Sequence, residues 1–282
     1  MDPLSQGTVG AAFAQSAANK NNIFKIGIIG FIAGLAPDLD VLIQSSNDPI
    51  LSLEYHRQFS HSLVFIPIGS LIVALLIFPW VKKAMSFKLV YLVSFLGYAT
   101  HGLLDACTSY GTLLLWPFSY ERITWNNISI VDPIFTIPTL IFVICALMTK
   151  RKKFSFFAIG WILFYLIFGL VQYERTLSAA KDLASSRGHS AERLTLKPSF
   201  GNLILWKSIY KHEENFYVDA IRTVQSSHWC SGESTSAFSY KQHLPKLNRD
   251  SQQAKDIERF RWFSQDYLGY QKEKKLVTDI RY

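Results

Sequence analysis

Residues 63–81, LVFIPIGSLIVALLIFPWV, run for 19 positions without a charge. A bilayer core about 30 Å thick is crossed by roughly 20 apolar residues in a helix, so this stretch predicts a membrane span. A second run of equal quality is 154–173, FSFFAIGWILFYLIFGLVQY, 20 uncharged residues. Leu89–Leu104 and Pro133–Met148 have 16 residues each, enough once other helices pack around them. Ile23–Ala36 is shorter and glycine-rich, which suits close helix contact. Ahead of it Leu4–Ala18, rich in small residues, reads either as a sixth helix inside the bundle or as one lying at the interface. The expected fold is therefore mainly α, a polytopic transmembrane bundle of five to six helices. No basic stretch precedes an apolar one near the start, so no cleavable leader is expected.

The charges are spread unevenly. Residues 1–173 carry 11 Lys+Arg and 8 Asp+Glu, whereas residues 174–282 carry 18 and 13. This contrast predicts a transmembrane domain at 1–173 and a small α+β domain outside the membrane at 174–282. In the second part, Glu174–Ser186 reads as an amphipathic helix. RLTLKPSF (193–200), NLILWKSIYK (202–211) and NFYVDAIRTV (215–224) read as strands, with HEEN (212–215) as a turn. His189, His212, His228 and His243 are scattered through it and read as surface or structural residues. The net charge of +8 forms no stripe interleaved with aromatics, which argues against nucleic acid as a partner. Cys107, Cys145 and Cys230 lack metal-ligand spacing.

Lys20, Lys25, Lys82, Lys83, Lys88 and the run Lys150–Lys153 fall at alternate ends of successive segments, hence on one side. The other side has only Arg57 and Arg122, so the positive-inside rule makes the lysine-rich side cytoplasmic. If Leu4–Ala18 crosses, the opposite side collects Asp2, Asp38, Asp40, Asp48, Glu54, Asp105, Glu121 and Asp132, together with His56, His61 and His101. Acids contribute little to orientation. Their segregation needs another cause, and a site at the outer face supplies one.

Three short motifs carry the chemistry. In HGLLDACTSYGT (101–112), His101 and Asp105 are four apart, about 40° around a helix, and share a face. The pair fits two ligands of one ion, or a plain His–Asp hydrogen bond. In APDLD (36–40), a turn at Pro37 could aim Asp38 and Asp40 at one cation, or leave them as a solvated helix end. In HRQFSHS (56–62), His56 and His61 are five apart, roughly 140° on a helix. Either His56 lies in the approaching turn, or only one of the two is a ligand and the other works as acid, base or phosphate contact. Arg57 is suited to holding an anion, and Ser60 and Ser62 to capping the following helix. Asp132, in SIVDPIFT (129–136), is a further ligand, a partner behind a histidine, or a cap before Pro133. The mixed nitrogen and oxygen set suits zinc or manganese.

Those motifs, with the opening MDPLSQ and the tail stretches LILWKSIYKHEENFYVDAIR and RFRWFS, resemble the YdjM-like membrane-bound metal-dependent hydrolases of bacteria over essentially the whole chain. The resemblance implies an inner-membrane hydrolase using a divalent metal ion, with Asp38, Asp40, His56, His61, His101 and Asp105 as metal or catalytic residues. Relatives often open Met-Asp-x-x-Thr-His, whereas Gln6 stands here in the histidine's place. Gln6 is then a peripheral contact, or the site has one ligand fewer.

The function expected from these readings is metal-dependent hydrolysis of an ester or phosphoester at the periplasmic face. His56, Arg57 and His61 are the catalytic candidates, and Gln6, Ser60 and Asp132 the supporting ones. Membrane lipids are the expected surroundings, and a lipid-linked molecule the expected substrate. The 26-residue connection Ala106–Val131, with its TSYGT, WPF and ITW stretches, reads as an interfacial aromatic anchor or as a lid over the site. Two rivals remain: a metal-free lipid-phosphate-type phosphatase with a histidine nucleophile paired to Asp105, and a non-catalytic scaffold with a structural metal.

Overall fold

A computed structural model describes all 282 residues. The first two thirds are helical: α1 (Pro3–Ser16), α2 (Ile23–Leu35), the short α3 (Leu51–Tyr55), α4 (Ile66–Val81), α5 (Phe87–Ala106), α6 (Pro133–Thr149) and α7 (Lys153–Ser186). Three segments are long and apolar enough to cross a membrane: 63–81, 87–106 and 153–186. At 13 and 17 residues, α2 and α6 fall short of that length.

The bundle is apolar on its outside. Leu75 and Leu76 of α4 and Phe164, Ile167 and Val171 of α7 are exposed, while the buried positions are mostly small or polar. Lipid offers no hydrophobic incentive to bury leucine, so small residues take the helix contacts. At the centre lies α1, packed against α2, α5, α6 and α7; it is a helix inside the bundle rather than on its rim. Asp2 caps it, accepting from the Ser5 amide at 3.0 Å, with Pro3 in the first turn. A Cβ on Gly10 would sit 2.5 Å from the Gly30 carbonyl oxygen, so α1 and α2 touch backbone to backbone only because both residues are glycine.

The second region begins without a break, since α7 continues past residue 173 to Ser186. Four strands then form an antiparallel meander in chain order: β1 (Glu192–Pro198), β2 (Leu205–His212), β3 (Asn215–Thr223) and β4 (Ser227–Ser236). The expected turn at HEEN closes the β2–β3 hairpin, where His212 pairs with Asn215. Trp206, Tyr210, Phe216 and Ile221 are buried in or beneath this sheet. After it come α8 (Tyr240–His243), α9 (Gln252–Phe263) and a hairpin of β5 (Leu268–Gln271) and β6 (Leu276–Asp279). The sheet is tied to α7 through Gln172, which donates to the Leu203 and Thr223 carbonyls, each at 3.1 Å.

This second region covers one end of the bundle. Arg259 of α9 makes paired contacts with Asp48 (2.8 and 2.9 Å) and Glu54 (2.6 and 2.8 Å). Gln265 donates to the Arg122 carbonyl at 2.8 Å and the Tyr282 hydroxyl to the Ser109 carbonyl at 3.2 Å. The connection 106–131 therefore lies between bundle and tail, with a bridge between Thr112 and Ile123 drawing its middle together.

Candidate metal centre

The covered end is where the starts of α1 and α4 meet the ends of α2 and α5. Four side chains from three segments converge there: Asp38 from the 3-10 turn after α2, His61 from the turn before α4, and His101 and Asp105 from the last turns of α5. His61 Nε2 and His101 Nε2 are 3.0 Å apart. Asp38 Oδ1 lies 3.4 Å from the first and 3.3 Å from the second. Asp105 Oδ2 lies 3.2 and 3.6 Å from the same two atoms. Four ligand atoms in a regular tetrahedron about 2.0 Å from a zinc ion stand about 3.3 Å apart, and these five separations lie close to that value.

The surroundings aim these atoms inward. His101 Nδ1 donates to the Gly34 carbonyl at 2.6 Å, leaving Nε2 free to bind. His61 Nδ1 faces Asp40 Oδ2 at 3.2 Å and Ser60 Oγ at 3.0 Å, again leaving Nε2 for the centre. A carboxylate or carbonyl behind a histidine is how metal ligands are oriented. Gly102 permits the meeting, because a Cβ there would collide with the His61 carbonyl oxygen. The segment before α4 can thus cross directly over α5.

Asp40 stands behind the donors rather than among them. Its Oδ2 accepts from the Arg57 amide (3.0 Å) and Ser60 Oγ (2.7 Å), and its Oδ1 pairs with His56 Nδ1 at 2.8 Å. His56 lies at the open edge, with 22 % of its side chain exposed; Asp38, at 25 %, is the one exposed member of the four. Asp38, Asp40 and His56 also form a second group that could hold an ion. Arg57 adopts φ 66°, a left-handed conformation, and its Nε lies 3.1 Å from Asp105 Oδ2. The amino group of Met1 contacts Asp105 Oδ1, and Gln6 Nε2 donates to the same oxygen at 2.9 Å. Asp132 is not brought into the cluster. Its oxygens cap α6 at the Ile134 and Phe135 amides and accept from Tyr165 at 2.8 Å.

The aspartates and histidines of the cluster pair their charges with one another. Burial opposes ionisation of Asp38 and Asp40, yet the facing His101 and His61 for Asp38, and His56 and His61 for Asp40, hold both well below the usual carboxylate range. Burial likewise opposes a charged His61, but Asp105, Asp38 and Asp40 raise it to about 10. Buried Asp105 Oδ2 accepts no hydrogen bond of good geometry. A fully buried carboxylate oxygen without a donor is costly, and two imidazole nitrogens beside it are the donors a divalent ion requires. The residues present fit such an ion.

The sequence reading missed Gly102, which carries a local signal, a glycine one residue past His101. In comparisons with known proteins, residues 1–176 match the family described as YdjM inner membrane protein. Neither a curated protein nor a solved structure matches the chain.

Proposed function

The chain belongs to the YdjM inner membrane protein family, and on that premise we propose that it is a multi-pass, metal-dependent hydrolase of esters or phosphoesters, its site and tail facing the periplasm. The observation that carries the proposal is the set of four inward-facing donor atoms of Asp38, His61, His101 and Asp105, three of whose side chains are wholly buried. Zinc, or else manganese, is the ion suited to this donor set. A divalent ion bound there supplies Lewis acidity toward a water and toward the oxygen of a scissile ester. The lysine-rich side, remote from these donors in the chain's connectivity, supports the periplasmic placement.

The remaining steps belong to the chain's own groups. Asp40 holds the His56 ring by Nδ1, which leaves Nε2 at the open edge to pass a proton to the leaving group. Arg57, stacked 4.6 Å from the Tyr110 ring centre, balances the Asp105 carboxylate and adds positive charge beside an anionic substrate. The tail and the connection 106–131 restrict water above the donors. Position at the end of an apolar bundle supports a lipid or lipid-linked substrate.

Hydrolysis of p-nitrophenyl phosphate, its bis-ester and p-nitrophenyl acetate by detergent-purified protein tests this reading. Activity should vanish in strong chelator, return with zinc or manganese, and fall by at least about 100-fold in His61→Ala. Turnover that persists in chelator contradicts it. The closed, four-donor arrangement favours one alternative, a structural ion in a non-catalytic membrane scaffold. That alternative requires loss of folding on chelation and no turnover on any ester.

A further inference from the structure

Arg122 is a buried cation without a counter-ion. Three arginines surround Tyr110 and Tyr282 above the donor cluster. Arg57 has Asp105 at 3.1 Å and Arg281 has Asp279 at 2.7 Å. Arg122, only 3 % exposed, has no carboxylate partner. Its Nη2 donates to the Gly111 carbonyl at 3.0 Å and reaches the His56 carbonyl at 3.5 Å, while Nε and Nη1 are buried with no acceptor. Aromatic rings flank the guanidinium, with Phe263 at 4.9 Å, Trp262 at 5.5 Å and Tyr110 at 5.7 Å.

Rings of this kind soften the desolvation of an arginine but do not replace an anion. Gly111 adds a second feature. At φ 91° it is left-handed, and a Cβ there would lie 3.2 Å from Arg122 Nε, so glycine keeps that edge of the fork uncrowded. The location also matters, because the guanidinium reaches the carbonyl of His56, whose ring is bonded to Asp40 at the open edge of the cluster.

We propose that Arg122 is an anion-binding residue that grips the phosphoryl oxygens of the substrate. With Nη2 committed to the Gly111 carbonyl, Nε and Nη1 leave charged N–H donors on two edges of the guanidinium, each able to bond one anionic oxygen. This inference rests on the hydrolase reading for the identity of the neighbouring site, and it narrows the substrate to a phosphoester. A free phosphate compound and a lipid headgroup present the same oxygens.

The test is thermal melting of the full chain in detergent, with and without inorganic phosphate, for wild type, Arg122→Gln and Arg122→Lys. Nanodiscs with and without phosphatidic acid form the lipid arm, and metal content is measured on every sample. Phosphate, or phosphatidic acid where the headgroup is the source, should raise the wild-type melting temperature by several degrees. That shift should disappear in Arg122→Gln and require about tenfold more ligand in Arg122→Lys, which keeps the charge but loses the planar array of donors. It should survive in His101→Ala, which separates anion binding by Arg122 from anion binding by a metal. If the shift is the same in Arg122→Gln as in wild type, or if neither ligand produces one, Arg122 is a packing element of the domain contact and the proposal falls. Absence of metal in wild type with the phosphate shift intact overturns the hydrolase reading alone.

Discussion

Two groups of acids lie at the same end of this molecule and are treated in opposite ways. Asp48 and Glu54 are partly exposed and meet Arg259, which satisfies both with paired hydrogen bonds. Asp38 and Asp105 meet two imidazoles instead, and Asp105 Oδ2, although Arg57 lies beside it, accepts no hydrogen bond of good geometry. The chain completes the first group itself, so that group serves to fasten the tail to the bundle. The second also has Arg57 beside Asp105, but it adds two imidazole nitrogens at ligand spacing, a set that could hold an ion. Acid content alone does not separate them; the imidazoles facing the acids do.

The contrast is broken most severely at Asp105. Asp105→Asn should strip the ion and leave Arg57 without its carboxylate, a loss of roughly 3–5 kcal/mol. Elemental analysis with a thermal scan checks both parts, and normal metal content would place the ion elsewhere. A smaller effect is expected one layer back. Asp40→Asn keeps all four donors but loosens the His61 ring, so chelator competition should show metal affinity reduced by about 10–100-fold. Unchanged affinity would mean that Asp40 orients nothing.

The smallest effect belongs to the fastening group. Arg259→Ala should lower the melting temperature by about 1–3 °C, less at high salt, and leave metal content untouched. Its pH dependence follows from Asp48, whose carboxyl Arg259 holds below the usual range. A depressed carboxylate stabilises above its unfolded pKa and loses that contribution as pH falls through the folded value. The gap between wild type and Arg259→Ala should therefore be full at neutral pH and close below about pH 4. A gap that widens on acidification would contradict the pairing.

Legibility in the sequence followed the same division. The residues of the cluster were visible because each sits in a short motif beside an apolar run, and alternation of helix ends brings PDLD, HRQFSHS and HGLLD to one face. Their individual duties were not visible. That Asp40 backs His61 while Asp38 faces the centre depends on a 3-10 turn whose register no periodicity encodes. His56 and His61, too far apart around a helix to converge, do so through turns on either side of Arg57. In the tail, alternation marked the first three strands, but SHWCSGESTS forms β4 as a largely exposed edge strand with no apolar face to announce it. Arg259 reaches Glu54 across 205 positions and Arg122 lies in an irregular connection; contacts of that kind are set by tertiary packing alone.

The most direct test is the metal content of the intact, purified protein, measured beside its His101→Ala variant. One equivalent or more of zinc or manganese per folded chain, falling to background in the variant, is the predicted result. A folded wild-type protein without bound transition metal, or a variant that retains it in full, would contradict the account.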